Sequence, residues 1–222
     1  MELLKVENVG FSYDKEKFVL KDIDLSFEEG KVYGIFGKSG AGKTTLLSLL
    51  AGLEVTTEGS ILYKQKDLKK INRDDYRCNE IGVIFQSYNL LPHLTALENV
   101  LLSMDISHIK GKDKKEKALD LLKKVGLGEE KANRRVLILS GGEQQRVAIA
   151  RAIAYDSELI LADEPTGNLD KETEDEIISL FLSLAHTEKK CVIIISHSTK
   201  VKEKADIVYH LAGGRIREKT LL

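Results

Sequence analysis

The stretch Gly37-Lys-Ser-Gly-Ala-Gly-Lys-Thr44 decides the fold of this chain. It follows an unbroken run of apolar residues, here called a solid apolar run, at Val32–Phe36, and it precedes a helical pattern at Thr45–Leu50. This order is typical of a loop between a buried strand and a helix. Glycines let such a loop curl until its backbone N–H groups point at phosphate oxygens. The stretch therefore predicts a nucleotide phosphate-binding loop at the edge of an α/β sheet.

Side chains of the same loop add charge and a metal ligand. The Lys43 ammonium supplies a positive charge for the phosphates, and the Thr44 hydroxyl can ligate Mg²⁺. A glycine-rich turn could match the pattern by chance, but the strand–loop–helix context argues against that alternative. The predicted nucleotide-binding residues are Gly37, Lys38, Ser39, Gly40, Ala41, Gly42, Lys43, Thr44 and Thr45.

Two carboxylates end a second apolar run, Leu159-Ile-Leu-Ala-Asp163-Glu164. The carboxyl end of a strand is where open α/β sheets bind their ligands. Taken alone, a solvated strand end with two acids would be the simpler interpretation. Beside a phosphate-binding loop, Asp163 becomes a candidate Mg²⁺ ligand, and Glu164 a candidate acceptor for a proton of the water that attacks the γ-phosphate.

The rest of the chain predicts an α/β protein of one domain, residues 1–222, with two additions. Val19–Phe27 alternates between apolar and polar residues, as a half-buried strand of an N-terminal antiparallel β layer does. An inserted helical subdomain is predicted at roughly residues 87–155. Solid apolar runs predict a mostly parallel central sheet and lie at Val32–Phe36, Ile81–Phe85, Leu159–Ala162 and Cys191–Ile195.

Three shorter patterns predict local structure. Thr95-Ala-Leu-Glu98 forms a capping box before an apolar run. Lys114–Val125 is an amphipathic, lysine-rich helix whose charged face is typical of solvent exposure. Ile207–Leu211, Gly213-Gly214 and Arg215-Ile216 predict a hairpin with a two-residue turn of positive φ.

Composition restricts the possible partners and compartment. Lys+Arg number 34 and Asp+Glu 35, so a net charge of −1 provides no global attraction to nucleic acid or anionic membrane. Cys78 and Cys191 are too few for a disulfide framework and are predicted to be reduced, inert thiols. Charged residues interrupt the N-terminal segment Met1–Glu7, and no apolar run approaches membrane-spanning length, which predicts a cytoplasmic chain.

A second element suited to phosphate begins at Leu139-Ser-Gly-Gly-Glu143, where small residues open a helix. With the loop at 37–44 and the acidic strand end at 159–164, in this order and spacing, nearly the whole chain resembles the nucleotide-binding subunit of an ATP-binding-cassette (ABC) transporter. The resemblance implies a P-loop NTPase fold, ATP and Mg²⁺ as cofactors, and ATP hydrolysis as the activity.

The resemblance also assigns roles to residues outside the two motifs. Gln86 matches a glutamine that contacts Mg²⁺ or the attacking water, and His197 matches a histidine that contacts the γ-phosphate. Tyr13 matches an aromatic residue that stacks on adenine, and Asp170 matches a residue that acts across a subunit boundary. Each has a plainer alternative. Gln86 could satisfy backbone groups, His197 could be a hydrogen-bonded loop residue, Tyr13 an ordinary β-layer aromatic, and Asp170 a helix N-cap.

A finer resemblance concerns one branch of this family. The segments Ile81–Val100, Leu139–Arg146 and Thr166–Asp170 resemble the branch that serves lipoprotein release, macrolide and antimicrobial-peptide export, and a cell-division complex. Two positions depart from the pattern: Lys38, where proline or arginine is common, and Ser198, where an acidic residue is usual. The element Leu139–Glu143 resembles the signature sequence of this family, and Glu143 stands where the commonest form of that signature has glutamine.

The same resemblance implies partners. Ser140, Gly141 and Gly142 would contact the γ-phosphate bound by a second copy of the chain or by a paralogous cassette, so that two ATP molecules lie between two subunits. A membrane permease would bind the Gln86–Val100 region, whose Leu90, Leu91 and Leu94 exceed what a surface loop needs, and would hold the chain at the cytoplasmic face of the cell membrane.

Two other functional classes share parts of this sequence pattern. ABC ATPases that act on DNA or ribosomes would need a coiled-coil insertion, a zinc-binding cysteine cluster or two cassettes in one chain, and the sequence has none of these, so no nucleic acid partner is predicted. A nucleotide-gated regulatory ATPase of a cell-division-type complex shares the branch motifs and stays an alternative to export or extraction of a lipoprotein, peptide or drug.

Overall fold

The computed structural model describes residues 1–14, 17–111 and 113–219, in which the strands form two sheets and four of the α-helices lie between residues 96 and 152. The described strands are β1 (Glu2–Ser12), β2 (Phe18–Glu28), β3 (Val32–Phe36), β4 (Glu58–Tyr63), β5 (Lys66–Asp67), β6 (Ile81–Ile84), β7 (Leu159–Asp163), β8 (Cys191–Ile195), β9 (Ile207–Ala212) and β10 (Arg215–Lys219). The described helices are α1 (Lys43–Leu50), α2 (Arg73–Asn79), α3 (Ala96–Ile106), α4 (Lys114–Lys124), α5 (Glu129–Ala132), α6 (Gly141–Ala152), α7 (Lys171–His186) and α8 (Thr199–Lys204).

The central sheet has the strand order β10-β9-β3-β8-β7-β6 and is parallel except at its β9–β10 edge. The four solid apolar runs all form strands of this sheet, with β6 one residue shorter and β7 one residue longer than predicted. The β9–β10 hairpin turns at Gly213 and Gly214, whose φ values are 59° and 75°, as the sequence predicts. The predicted α/β fold class is confirmed.

The N-terminal layer is an antiparallel sheet with the order β2-β1-β4-β5. In β2 the predicted alternation holds, because Ile23, Leu25 and Phe27 are buried while Asp22 and Asp24 are exposed. The strand β1 was not predicted from the sequence, although it pairs with both β2 and β4. Irregularities in its register interrupt the two-residue alternation that would have revealed it.

Two hydrophobic cores flank the central sheet, because successive residues of a strand point to opposite faces. In β8, Cys191, Ile193 and Ile195 pack with the antiparallel layer and α1, whereas Val192 and Ile194 pack with α3, α6 and α7. Every one of these side chains is at most 1% exposed. A strand covered on both faces therefore has a solid apolar sequence rather than an alternating one.

The segment between β6 and β7 contains α3, α4, α5 and α6, while the predicted subdomain bounds of 87–155 stay a prediction. The predicted capping box begins α3: the Glu98 N–H donates to Oγ1 of Thr95 at 3.1 Å, and the Thr95 N–H donates to Oε2 of Glu98 at 2.7 Å. None of the helices in the described ranges has the length and apolar composition that a membrane span requires. The predicted domain 1–222 also includes positions 15–16, 112 and 220–222, which lie outside the described residues.

Candidate active site

The loop between β3 and α1 forms a backbone cradle suited to an anion. The Ala41 N–H donates to the Lys38 carbonyl at 3.1 Å, and Gly42, with a φ of 101°, is the N-cap of α1. Because Gly42 has no side chain to cap the helix, the first N–H groups of α1 stay free for a phosphate. Gly37 is required by close packing, since a Cβ there would lie 2.3 Å from the Leu211 carbonyl oxygen.

Predicted site residues from separate segments meet at a cleft of about 330 Å³ beside this loop. They meet because β3, β7 and β8 are parallel neighbours, so the residues that follow their carboxyl ends reach the same sheet edge. The residues that line the cleft are Val19, Ser39, Gly40, Gly42, Lys43, Thr44, Thr45, Gln86, Asp163, Glu164 and His197.

Lys43 is held at the floor of the cleft with its side chain almost wholly buried. Its Nζ donates to the Gly37 carbonyl at 2.8 Å and to the Lys38 carbonyl at 3.3 Å, and it lies 3.2 Å from Nε2 of His197. A lysine ammonium can only donate, so Nε2 of His197 is the acceptor in this contact. The charged phosphate oxygens of a nucleotide would accept stronger hydrogen bonds from the Lys43 ammonium than these two neutral carbonyls do.

A hydroxyl and a carboxylate face each other where Mg²⁺ would bind. Oγ1 of Thr44 donates to Oδ2 of Asp163 at 3.2 Å. Burial raises the pKa of the Asp163 carboxyl, and the Thr44 hydrogen bond and the Lys43 charge oppose that rise. Mg²⁺ typically takes one or two protein carboxylates and completes its shell with water and substrate phosphates. The hydroxyl and carboxylate oxygens of this pair fit Mg²⁺ bound together with a nucleotide.

Glu164 follows β7 in a left-handed backbone conformation, with a φ of 46°. Its N–H donates to the Ile195 carbonyl at 2.8 Å, which fixes the residue against the neighbouring strand β8. A non-glycine residue in this region is strained, and such strain occurs preferentially at functional sites. The backbone turns the carboxylate into the cleft, where its side chain is 15% exposed.

The two carboxylate oxygens of Glu164 have different surroundings. Oε2 accepts a hydrogen bond from the His197 N–H at 3.1 Å. Oε1 is buried and accepts no hydrogen bond from the described residues, although Nε2 of His197 lies only 3.2 Å away. The lack of a bond is consistent with Nε2 accepting from Lys43. Burial raises the pKa of Glu164, opposed chiefly by His197, so Oε1 can chemically serve as the acceptor of a water proton.

Tyr13 lies beside the phosphate loop on the antiparallel layer. Its hydroxyl is 3.2 Å from Oγ1 of Thr45, and its ring makes an edge contact with Phe11. The Tyr13 side chain is 65% exposed, which leaves a ring face free. This placement allows adenine stacking and is equally compatible with an ordinary β-layer aromatic.

We expect Tyr13→Ala to raise the KM for ATP about tenfold, because an aromatic ring stacked on a base contributes about 1–3 kcal/mol. Tyr13→Phe keeps the ring and should keep the KM within about twofold of the original value. Steady-state ATP hydrolysis at varied ATP concentration measures both. An unchanged KM in Tyr13→Ala would favour the β-layer interpretation.

The signature residues lie elsewhere, since neither Ser140–Gly142 nor Asp170 is among the described residues that line the cleft. Ser140 is the N-cap of α6, and Gly141 and Gly142 form its first turn. Asp170 is the N-cap of α7, where Oδ1 accepts from the N–H groups of Glu172 and Thr173. Asp170 is therefore a helix N-cap, as its plainer interpretation predicts, and a role across a subunit boundary stays a prediction.

Contacts of two residues of α6, Glu143 and Arg151, were not predicted from the sequence. Glu143 closes a capping box with Ser140, whose N–H donates to Oε2 at 2.9 Å, and Oε1 lies 2.6 Å from Nζ of Lys131. The bond from Lys131, followed by the Ser140 N–H, lowers the pKa of Glu143. The Ser-x-x-Glu spacing could have revealed this box. Arg151 donates to the carbonyls of Tyr88 and Asn89, a contact with no local sequence signal.

The fold and the site together define a P-loop nucleotide-binding domain with a second helix N-terminus outside its own cleft. A family profile described as ABC transporter matches residues 20–167 of the chain. The chain is 48% identical over 220 residues to an uncharacterised ABC transporter ATP-binding protein, YclH, of Bacillus subtilis strain 168, covering 99% of this chain and 97% of that protein. It is 42% identical over 212 residues to the lipoprotein-releasing system ATP-binding protein LolD of Treponema denticola, covering 94% and 93%.

Two solved structures with a similar fold are also of an ABC transporter cassette. A dimeric structure of MJ0796, an ABC transporter cassette of Methanocaldococcus jannaschii, superposes with a TM-score of 0.90 at 36% identity and covers 99% of each chain. A second dimeric structure of that cassette, in a post-hydrolysis state with ADP and Pi, gives a TM-score of 0.89 at 35% identity, again over 99% of each chain. This chain belongs to the ABC transporter ATP-binding family. It is an ATPase whose cofactors are ATP and Mg²⁺.

Proposed function

We propose that two copies of this chain close on two ATP molecules and drive a membrane permease. The observation that carries the proposal is the separation, within one chain, of two phosphate-binding elements. The cleft beside α1 has a cradle, a lysine and carboxylates, whereas the first turn of α6 lies outside it. A second copy would bring its own α6 to the open side of the cleft. MJ0796 is dimeric in both solved structures, which supports a dimer of this chain.

Within each cleft the proposed roles follow from geometry. Lys43 would transfer its hydrogen bonds from loop carbonyls to phosphate oxygens, and the free N–H groups of α1 would bind the same phosphates. Thr44 and Asp163 would hold Mg²⁺, with Gln86 as a further ligand that can move. The metal would supply charge stabilisation at the phosphates.

Hydrolysis would use Glu164 and His197. Oε1 of Glu164 would accept a proton from the water that attacks the γ-phosphorus, while the bond to the ADP oxygen breaks. Once Lys43 turns to the phosphates, Nε2 of His197 would no longer accept from the lysine, and with a proton on Nε2 it would donate to the γ-phosphate. From the partner subunit, the first turn of α6 at Ser140, Gly141 and Gly142 would complete the charge stabilisation, and release of phosphate would let the dimer open.

A membrane partner would bind the segment Gln86–Val100 and thereby hold the chain at the cytoplasmic face of the membrane. Asn99 fixes this segment from within, because its side chain bonds both the N–H and the carbonyl of Leu91. The Leu91 side chain nevertheless stays 38% exposed. Leu137 and Ile138, each 69% exposed, follow Val136, whose N–H donates to the Leu94 carbonyl, and would extend the apolar surface. Such exposed apolar residues on a rigid backbone favour a protein interface.

Lipoprotein release or extraction is the transport function we favour. The support is the 42% identity to LolD of Treponema denticola over 94% of this chain. The permease would contact the lipoprotein, and this subunit would supply the ATP-driven step.

Leu91→Asp should reduce the amount of membrane protein that copurifies with the tagged chain about tenfold, because a charge would be buried in the contact. Basal ATP hydrolysis by the isolated chain should not change. A pull-down from detergent-solubilised membranes, with the copurifying protein identified by mass spectrometry, measures the effect.

The matched control is Leu53→Asp, since Leu53 is 47% exposed but lies after α1, outside the proposed surface. It should leave copurification unchanged. Equal losses in both variants, or none in Leu91→Asp, would contradict the assignment of Gln86–Val100 as the permease contact.

A further inference from the structure

One carboxylate on α7 connects the two loops that contain Glu164 and His197. Oε1 of Glu174 accepts a hydrogen bond from the Ser198 hydroxyl at 2.5 Å and another from the Thr166 hydroxyl at 3.4 Å. Ser198 directly follows His197, and Thr166 lies two residues after Glu164. The loops are therefore joined twice, by the Glu164–His197 contact inside the cleft and by Glu174 behind it.

The surroundings of Glu174 make the Ser198 hydroxyl its closest partner. The Glu174 side chain is 16% exposed, so little water competes for the carboxylate. Nζ of Lys200 lies 3.6 Å from Oε2 of Glu174 but 2.6 Å from Oδ2 of Asp175, which is therefore its main partner. A short hydrogen bond to an ionised acceptor is among the strong ones, and it fixes the position of the loop that contains Ser198.

We infer that Glu174 is a positioning residue for hydrolysis, which keeps the two loops in register so that His197 and Glu164 meet. The inference rests on the roles proposed above for those two residues. Position 198 has a hydroxyl where the family resemblance leads one to expect an acid, and the carboxylate comes from α7 instead. Because Glu174 is not among the described residues that line the cleft, the effect should be on kcat rather than on the KM for ATP.

The first test is Ser198→Asp in the full chain, measured by steady-state ATP hydrolysis. Aspartate can still cap α8 at the Val201 N–H, where the serine hydroxyl now accepts. It would, however, place a second carboxylate against Glu174 in a half-buried position. We expect kcat to fall about tenfold, because a strong hydrogen bond is replaced by repulsion, with the KM for ATP unchanged.

The second test restores the contact with donor and acceptor exchanged. Glu174→Gln alone keeps an oxygen that accepts from both hydroxyls, so kcat should stay within about threefold of the original. In the double variant Ser198→Asp/Glu174→Gln, the amide NH₂ can donate to the new carboxylate at position 198. We expect kcat to recover to within about threefold of the original value.

A residue that only stabilised the fold would not show this rescue of kcat by exchange of donor and acceptor. Glu172→Gln is the control, because Glu172 is an exposed acid in the same helix. Thermal unfolding would verify that each variant is folded. If Ser198→Asp does not fold, Glu174→Ala takes its place with the same expected loss of kcat.

Two results would overturn the inference: an unchanged kcat in the variant that breaks the contact, or a loss in Ser198→Asp that Glu174→Gln does not rescue. Direct substitution of Glu164 and His197 distinguishes failure of the proposed function from failure of this inference. If Glu164 and His197 lack their proposed roles, then substituting them directly leaves hydrolysis intact, whatever happens at Glu174.

Discussion

Glu164→Gln should slow ATP hydrolysis about 10²- to 10⁴-fold, the usual contribution of a positioned general base, while ATP still binds. Glutamine has nearly the same shape, and its amide oxygen can still accept the hydrogen bond that the His197 N–H now donates to Oε2. It has no carboxylate oxygen to take a proton at the position of Oε1. Lys43 and Thr44, which would bind the phosphates and Mg²⁺, are unchanged.

The same substitution should trap a dimer. In the proposed dimer, two ATP molecules form a sandwich between the two subunits. If this sandwich opens only after hydrolysis, ATP that cannot be cleaved keeps the two subunits together. Size-exclusion chromatography with light scattering should therefore give about twice the monomer mass for Glu164→Gln with ATP and the monomer mass without it. Phosphate release measures the rate in parallel.

Two comparisons make this result specific. Glu172→Gln, at an exposed position of α7, should retain the original rate and should not accumulate a dimer. Turnover by Glu164→Gln within about threefold of the original rate would remove Glu164 from the role of base. Slow turnover without dimer accumulation would separate the chemical role from the proposed sandwich.

The elements that the sequence predicted well are those whose environment is uniform along their length. β3 and β8 lie in the middle of the central sheet with every residue buried, so their sequences are solid apolar runs with clear ends. β1 is equally central to its own sheet, but register shifts change which residues face the core. Because no single periodicity describes such a strand, it could not be predicted from the sequence.

The composition of the cleft was predictable because it depends mainly on topology. Once β3, β7 and β8 are parallel neighbours, residues after their carboxyl ends must converge, and these include Lys43, Glu164 and His197. The contacts between side chains were not predictable in the same way. The pairing of Glu174 with Ser198 depends on how α7 packs beside β8, and the residues are 24 positions apart with no shared pattern.

Mixing Lys43→Ala chains with Gly141→Asp chains should restore ATP hydrolysis that neither variant shows alone. Loss of Lys43 removes the main charge at the phosphate loop and should cost about 10²-fold or more. Gly141→Asp places a negative charge where the partner's γ-phosphate would lie. If each site combines the loop of one chain with α6 of the other, the mixed dimer has one intact site, formed by the unchanged Lys43 and the unchanged Gly141. We expect up to about half of the original rate per dimer.

Gly141 is the suitable position because the variant should fold. A Cβ there would lie 3.1 Å from the Tyr88 hydroxyl oxygen, the end of a side chain that can shift, whereas a Cβ at Gly142 would lie 2.6 Å from Cγ2 of Thr173. An acidic residue in the first turn of a helix also interacts favourably with the helix dipole. Loss of activity in Gly141→Asp can then be assigned to the phosphate contact, with thermal unfolding as the check.

The matched control places both substitutions in one chain and mixes it with the unaltered chain. Two different affinity tags and sequential purification isolate the mixed dimers in both experiments. If α6 acts on the partner's ATP, every site of this control contains one altered element and the mixed dimer should be inactive. If each chain instead forms its own complete site, the control retains half of the original rate and the first mixture shows no rescue. The two mixtures therefore give opposite results under the two arrangements, and only rescue in the first with inactivity in the second supports the sandwich.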